Sequence, residues 1–354
     1  MNEELRGILN TLIAIEKLNI LLVGNSGSGK TSLIHAIIRE YYGQDISLDH
    51  DNIMCINTLK EQGIAYYRNE VRVFCQTSSC IDGKRKILVL DDIDIEIDTQ
   101  GPVLGMSGWK ERLDAQHRPL FGAIIKPKSG LNMDQYMSIV KDMVYGGADF
   151  IKEDEIMADN LYLPLAKRVE EIEALKKELD WKGFYAYCVN ADPNELNTNL
   201  KTIHFHTCTS DIVGGCHINF WSGLGAYTTA RGWDIATHYQ RSGIRILTDP
   251  DNRYSISWPV LVKLGCLAGV DSMHVGMLGG YYPEGKSEYE TLEAIDICVE
   301  HNVIPSLSCG MNPVLAKEIK ERIGNNWMAS VGGWLHTGES IYEKVKEMRQ
   351  SLDG

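Results

Sequence analysis

The sequence predicts an α/β protein: a (β/α)8 TIM barrel preceded by a truncated α/β segment built around a phosphate-binding loop. Three observations predict it. After Gln100 the chain carries eight apolar, β-rich runs, each followed by a helical pattern. Before it, Gly24-Asn-Ser-Gly27-Ser-Gly29-Lys30-Thr31 lies between a short apolar run and a helical pattern. Cations, carboxylates and histidines then recur at the C-terminal ends of five of the eight later runs. That end is where such barrels carry their active sites. The expected division is 1–98 for the first segment and 99–354 for the barrel.

Bulk numbers narrow the function classes. The 354 residues are 44% hydrophobic and 23% charged, ordinary for a soluble globular protein. The formal charge is −13, with −5 up to Thr99 and −8 beyond it. Neither part is basic, so nothing points to a nucleic-acid partner. Nine scattered cysteines without a C-x-x-C pair fit reduced thiols and a cytoplasmic location. His204, His206 and Cys208 look metal-like, but no second ligand pair sits at a usable spacing. The opening "MNEELRGILN" lacks a signal-peptide layout, and no run approaches a membrane span, so no membrane partner is expected.

In the first segment, strands are expected at 19–23, 53–57 and 87–91. The glycines Gly24, Gly27 and Gly29 let backbone N–H groups turn onto phosphates, and the following helix adds its dipole. Lys30 would reach the terminal phosphates and Thr31 would ligate Mg²⁺. "KRKILVLDDID" ends a strand in Asp91 and Asp92, where an acid commonly holds the metal's water shell. Together with "NIMCINTLKEQGIAYYRNEVRVF", residues 1–96 resemble the start of an AAA+ clamp-loader small subunit of the replication factor C type. The resemblance implies ATP and Mg²⁺ at this loop. The family pairs Asp with Glu where this chain has Asp91-Asp92, which is unfavourable for hydrolysis. Its later strands, sensor, arginine finger and helical lid do not follow, so clamp loading is not expected.

The barrel runs are 120–127, 148–155, 183–190, 211–220, 235–242, 269–277, 303–310 and 327–335. Helices are expected at 132–145, 159–179, 257–268, 287–301, 313–323 and 338–352, with a glycine-interrupted one within 222–233. The ends of the runs carry the chemistry. The first ends in Lys126-Pro127-Lys128. The second, "GGADFIKEDE", ends in Lys152, Asp154 and Glu155. Alternate residues share a strand face, so Lys152 and Asp154 point the same way. Taken alone, the triplet reads either as a lysine neutralising two surface carboxylates or as a metal site. The fifth run carries His238, Gln240 and Arg241, and the sixth His274. The seventh ends in Ser308-Cys309-Gly310 and the eighth in Gly332-Gly333. Glycines after the last two strands suit the usual phosphate site of this fold.

"RPLFGAIIKPKSGL", "GGADFIKEDE", "AGVDSMHVGM" and "IPSLSCG" resemble the large subunit of RuBisCO and its relatives, from about Gly101 to Gly354. The resemblance implies that CO₂ carbamylates Lys152, and that the carbamate, Asp154 and Glu155 bind Mg²⁺, a hard ion that prefers anionic oxygen. Mg²⁺ would then stabilise an enediolate of the substrate. Lys126 matches the lysine that moves the proton at the substrate carbon, which needs its pKa lowered. Lys128 matches a neighbouring charge near the metal. Arg241 and His274, with His238 and Gln240 on the same motif, match substrate or phosphate contacts. Ser308, Gly310, Gly332 and Gly333 match the phosphate and hydroxyl cradle. The relatives act as dimers, so a homodimer is implied.

The chain departs from RuBisCO in three places. Tyr281, in "GMLGGYY", falls where carboxylases carry a mobile lysine. "HYQRSG" replaces His-x-His-Arg, so one histidine becomes Gln240. The family's N-terminal domain is replaced by the clamp-loader-like segment. These departures resemble the RuBisCO-like proteins, such as those acting on 3-oxo-isoapionate 4-phosphate or the 2,3-diketo-5-methylthiopentyl-1-phosphate enolase. The expected function is a Mg²⁺-dependent lyase or enolase on a phosphorylated keto-sugar acid. An ATP-binding module and a catalytically dead scaffold are the alternatives.

Overall fold

The computed structural model describes all residues except 1–2, 15–17, 19, 21, 23–28, 44, 58–65, 92–100, 128, 209–212, 250, 252–254 and 280–285. The chain divides into two compact units, Met1–Ile97 and Asp98–Gly354.

In the first unit, β1 (Ile53–Asn57) and β2 (Ile87–Asp91) pair in parallel. The expected strand at 19–23 falls largely outside the described residues. The helix Lys30–Tyr42 turns Ile37, Ile38 and Tyr41 inward at helical spacing. Ile38 packs with Ile53 and Val89 of the two strands. Gly29 precedes this helix at φ 90°, a backbone region that favours glycine.

The second unit is the predicted closed barrel. Its strands are β3 (Leu120–Ile124), β4 (Phe150–Lys152), β5 (Phe184–Cys188), β6 (Gly215–Asn219), β7 (Ala236–Gln240), β8 (Ser272–Gly276), β9 (Ile304–Leu307) and β10 (Met328–Val331). Each pairs in parallel with the next, and β10 closes onto β3. All eight predicted runs contain one of these strands. Most predicted helices appear within a few residues of their expected ends. The helix expected from 159 begins at Leu165, after Pro164, because a residue before proline is pushed away from helical backbone.

Two helices of eight or more residues in the barrel unit were not foreseen. Pro193–Thr207 lies between β5 and β6, with Asp192 capping the N–H groups of Asn194 and Glu195 and Pro193 at its first position. His204 and His206 ride on this helix, where His204 Nδ1 meets Trp233 O at 3.1 Å. The second, Gly105–Arg112, packs Met106 and Trp109 against the bottom of the barrel. Trp109 stacks on Phe184 at 4.9 Å, with Leu120, Phe150, Ile304 and Met328 in the same cluster. Buried Asp271 accepts N–H groups of Leu104 and Gly105 at 2.8 and 2.9 Å and so anchors the entry to this plug. Gly105 has φ 65°, and a Cβ there would lie 2.5 Å from Asn302 O.

Strand alternation then sets the barrel's interior. Leu120, Phe150, Phe184, Ala236, Ile304 and Met328 form an apolar layer against the plug. One layer up, the register aligns Lys152 with Ala186, His217 with His238, His238 with Ser272, and His274 with Ser306. The interior therefore changes from apolar at the N-terminal end to polar at the C-terminal end.

The same N-terminal end is tied electrostatically. Asp149, at the start of β4, accepts from Arg118 Nη1 at 2.6 Å and Nη2 at 2.9 Å. It also accepts from Phe121 N at 2.9 Å and from Arg349 of the last helix at 3.0 Å. Arg118 is only 2% exposed. Asp149→Ala leaves that guanidinium buried without its main partner, which costs about 3–5 kcal/mol. A lowered urea midpoint at unchanged m-value is the expected readout.

Candidate functional site

The polar end of the barrel is assembled around the residues that follow β4. Lys152 and Asp154 are 3% and 2% exposed, whereas Glu155 keeps about a third of its side chain in solvent. Lys152 Nζ donates to Glu153 O at 2.9 Å and approaches Glu155 Oε2 at 3.4 Å. Lys126, at the end of β3, forms an ion pair with Asp154. Lys126 also lies beside Gly332: a Cβ built there would be 3.9 Å from Lys126 Cε. Two strands and the turn after β10 thus converge on one spot.

Glu153 takes the opposite face. Its carboxylate is fully buried between strand and helix, accepting from Arg168 Nε at 2.8 Å, Tyr136 Oη at 2.5 Å and Cys188 N at 2.7 Å. This holds the backbone from which Lys152 and Asp154 project.

Glu155 has further partners. Ser242 Oγ donates to its Oε1 at 3.0 Å, and Gln240 Nε2 donates to Ser242 Oγ at 2.7 Å. Asn190, just beyond β5, donates to the Glu155 carbonyl at 3.0 Å and accepts from Asn219 N at 2.7 Å. On the other side of the mouth, His274 Nε2 lies 2.6 Å from Ser308 Oγ. Arg241 donates to Val275 O at 2.6 Å, with its guanidinium 4.2 Å from the Trp258 ring centre. Ser308 precedes two left-handed residues, Cys309 at φ 67° and Gly310 at φ 86°, which turn the chain sharply at the end of β9. Gly333 has open space where a side chain would sit, as a close-approach cradle requires.

Burial dominates the electrostatics. It lowers the Lys152 pKa, and the opposing pull of Glu155 and Asp154 does not offset it. Burial would raise the Glu155 pKa, but the Lys152 charge and the Ser242 hydrogen bond hold it at about 2, so this carboxylate is ionised near neutrality. His274 is brought to about 3 by burial and by the Arg241 and Lys152 charges. It is therefore a neutral imidazole at physiological pH.

The predicted residues meet unevenly. Lys126 pairs with Asp154 and Lys152 with Glu155, two pairs that share the segment at the end of β4. His274 and Ser308 form a second group, with Arg241 beside it. His238 is 2% exposed within the barrel, its Nδ1 at 3.0 Å from Ser272 Oγ. Gln240 is turned onto Ser242 rather than toward solvent. Lys128 and Tyr281 lie outside the described residues. So do Gly24, Gly27, Asp92 and the side chain of Asp91. Gly29, Lys30 and Thr31 stand at the start of the helix Lys30–Tyr42, the end that favours anions.

Sequence reasoning passed over Ser242, Asn190, Glu153, His336 and His217. Asn190 ends an apolar run, the signal that identified the other strand ends. His336 Nε2 contacts Ile124 O at 3.0 Å, a long-range pairing with no local trace. Among the described residues, no group of three His, Cys, Asp or Glu is arranged to hold a metal. Asp154 and Glu155 supply hard oxygen donors suited to Mg²⁺ but are one anion short of a three-ligand set. A carbamate on Lys152 would supply it. The donor chemistry thus fits the implied group.

Comparison with known proteins agrees with the barrel fold. Residues 105–312 match the family described as ribulose bisphosphate carboxylase large chain, catalytic domain. Residues 20–107 match the ATPase family associated with various cellular activities. The ribulose bisphosphate carboxylase of Archaeoglobus fulgidus is 26% identical over 287 residues, 72% of this chain and 63% of that protein. The 2,3-diketo-5-methylthiopentyl-1-phosphate enolase of Microcystis aeruginosa is 27% identical over 236 residues, 65% of this chain and 60% of that protein. The crystal structure of a rubisco-like protein from Burkholderia fungorum superposes with a TM-score of 0.62 at 23% identity, over 73% of this chain and 66% of that one. That likeness shows the fold alone. The chain spans 60–63% of the length of the first curated relatives it matches.

One titration follows from the interior layer. His217 is fully buried, and neither ring nitrogen has a hydrogen-bond partner among the described residues. Burial holds its pKa well below the ordinary 6.5. The unfolded chain then binds the extra proton first, so this stability is complete above about pH 6.5 and is lost as pH falls. The loss is about 1.4 kcal/mol per pH unit for each such proton. In urea titrations between pH 7 and 5, His217→Gln should show a slope shallower by about one proton.

Proposed function

Because the chain belongs to the ribulose bisphosphate carboxylase large-chain family through its catalytic domain, we propose that it is a Mg²⁺-dependent RuBisCO-like enzyme. Its substrate is a phosphorylated keto-sugar acid such as 3-oxo-isoapionate 4-phosphate, which it decarboxylates, transcarboxylates or enolises. It is not a ribulose bisphosphate carboxylase. The observation that carries this reading is the convergence of buried Lys152 with Asp154, Glu155 and Lys126 at the C-terminal end of a closed barrel.

Lys152 would take up CO₂ with loss of a proton, and the resulting carbamate, Asp154 and Glu155 would hold Mg²⁺. The bound ion would supply positive charge beside an enolising substrate. Lys126 would move the proton at the substrate carbon, and its pairing with Asp154 keeps it against the metal ligands. Lys128 would add a neighbouring charge. Neutral His274, set by Ser308, would hydrogen-bond a substrate hydroxyl without adding charge. Ser308, Gly310, Gly332, Gly333 and Arg241 would receive the phosphate. Gln240 and Tyr281, in place of a histidine and a mobile lysine, argue against carboxylation.

Exposed Ile156, Leu161, Tyr162, Trp221 and Ile246 lie in the connections that follow β4, β6 and β7, the last two in short helical turns. Apolar side chains at a barrel mouth suit a second copy of the chain, and a homodimer is part of the proposal. Among the described residues, no helix is long and apolar enough to cross a membrane. The cysteines are all free, in keeping with a reducing, cytoplasmic setting.

Calorimetry with Mg²⁺, with and without bicarbonate, tests the central claim. Wild type should bind only when bicarbonate is present, and Lys152→Ala should not bind at all. Binding indifferent to both would remove the carbamate site and leave the barrel a scaffold.

A second reading concerns the first unit, where the AAA match and the helix beginning at Lys30 favour nucleotide binding. ATP affinity by fluorescence titration should fall at least tenfold in Lys30→Ala; an unchanged affinity would count against it.

A further inference from the structure

The loop after β7 carries a hydrogen-bond chain that ends on a proposed metal ligand. Gln240 Nε2 donates to Ser242 Oγ at 2.7 Å, and Ser242 Oγ donates to Glu155 Oε1 at 3.0 Å. The other Glu155 oxygen, Oε2, faces Lys152 Nζ at 3.4 Å. The Glu155 backbone is held as well, its carbonyl accepting from Asn190 Nδ2 at 3.0 Å. Gln240 is only 9% exposed, so its amide is committed to the interior.

We propose that Ser242 and Gln240 are positioning residues that fix the rotamer of Glu155 so that its Oε2 stays turned toward Lys152. This rests on the metal-site reading above and deepens it. The physical case is directional. A serine hydroxyl has one proton; Gln240 donates to its oxygen, leaving that proton for Glu155. Each bond therefore orients the next. Without the chain, a third-exposed glutamate would sample several rotamers in water, and ordering it would be charged to metal binding. The replacement of His-x-His-Arg by His238-Tyr239-Gln240-Arg241 thus has a consequence at the metal end of the site. A glutamine side chain reaches Ser242 two residues on and serves Glu155 rather than the substrate.

The test is Mg²⁺ calorimetry of the full chain in saturating bicarbonate, with metal-free thermal melts in parallel. Ser242→Ala should weaken Mg²⁺ about tenfold, the lower end for loss of a partner behind a metal ligand. Its metal-free melting temperature should stay within a degree or two of wild type. Ser242→Thr, which keeps the hydroxyl, should restore the affinity. Gln240→Met should weaken binding less than Ser242→Ala and add nothing in the double variant, because its effect passes through Ser242. Wild-type affinity in Ser242→Ala overturns the proposal. So does a weakened Ser242→Ala that Thr does not rescue, or additive losses in the double variant. Absence of bicarbonate-dependent Mg²⁺ binding in wild type overturns the metal-site reading itself, and this inference with it.

Discussion

The buried pair between Glu153 and Arg168 is the constraint on which the site depends. Three charged residues, Lys152, Glu153 and Asp154, follow one another from the last position of β4, none exposed beyond a few per cent. Strand alternation sends two of them into the barrel and one outward. The outward one would be a buried lone charge if Arg168 did not meet it at 2.8 Å, with Tyr136 Oη and Cys188 N as its further donors. A slip by one residue would bring Glu153 into the barrel and expel Lys152 and Asp154. The pair therefore selects the register that makes the site.

The barrel supplies the rest by dividing its interior. Below, the plug helix and the aromatic contact of Trp109 with Phe184 exclude water from the N-terminal end. Above, Lys152, His238, His274, Ser306 and Ser330 replace the apolar residues that commonly fill such barrels. Polar groups in that layer are satisfied mainly by one another, as with Ser306 and Ser330 at 2.6 Å. Among the described residues, His274 leaves Nδ1 without a partner and His217 leaves both ring nitrogens, and the buried His217 ring makes that layer sensitive to acid. The gradient places the ionisable groups beneath the mouth, where a low dielectric strengthens each charge interaction.

Much of this was legible in the order of residues. The period of apolar runs marked eight strands, and turn glycines marked their ends. Lys126, Lys152, Asp154, Glu155 and Ser308 were identifiable because each sits at or just beyond a strand terminus, and His274 because it interrupts the apolar run of β8. The helix Pro193–Thr207 left local signals in Asp192-Pro193 and the spacing of Leu196, Leu200 and Ile203. Its polar, histidine-bearing outer face masked them. The plug helix had no such signal, because its apolar face is defined by a barrel floor made from distant strands.

By itself, the sequence determined the barrel's strand count, the barrel class and the end at which polar side chains gather, because those follow from side-chain period and from polar residues interrupting apolar runs. Tertiary structure alone decided which strand-end residues meet. Lys126 reaches Asp154 across 28 positions, Ser242 reaches Glu155 across 87, and His336 reaches Ile124 across 212. It also committed His238 to Ser272 and Gln240 to Ser242, although their motif reads like that of substrate contacts. Such pairings depend on barrel closure and the register of neighbouring strands, which bring together side chains whose local sequence carries no record of one another.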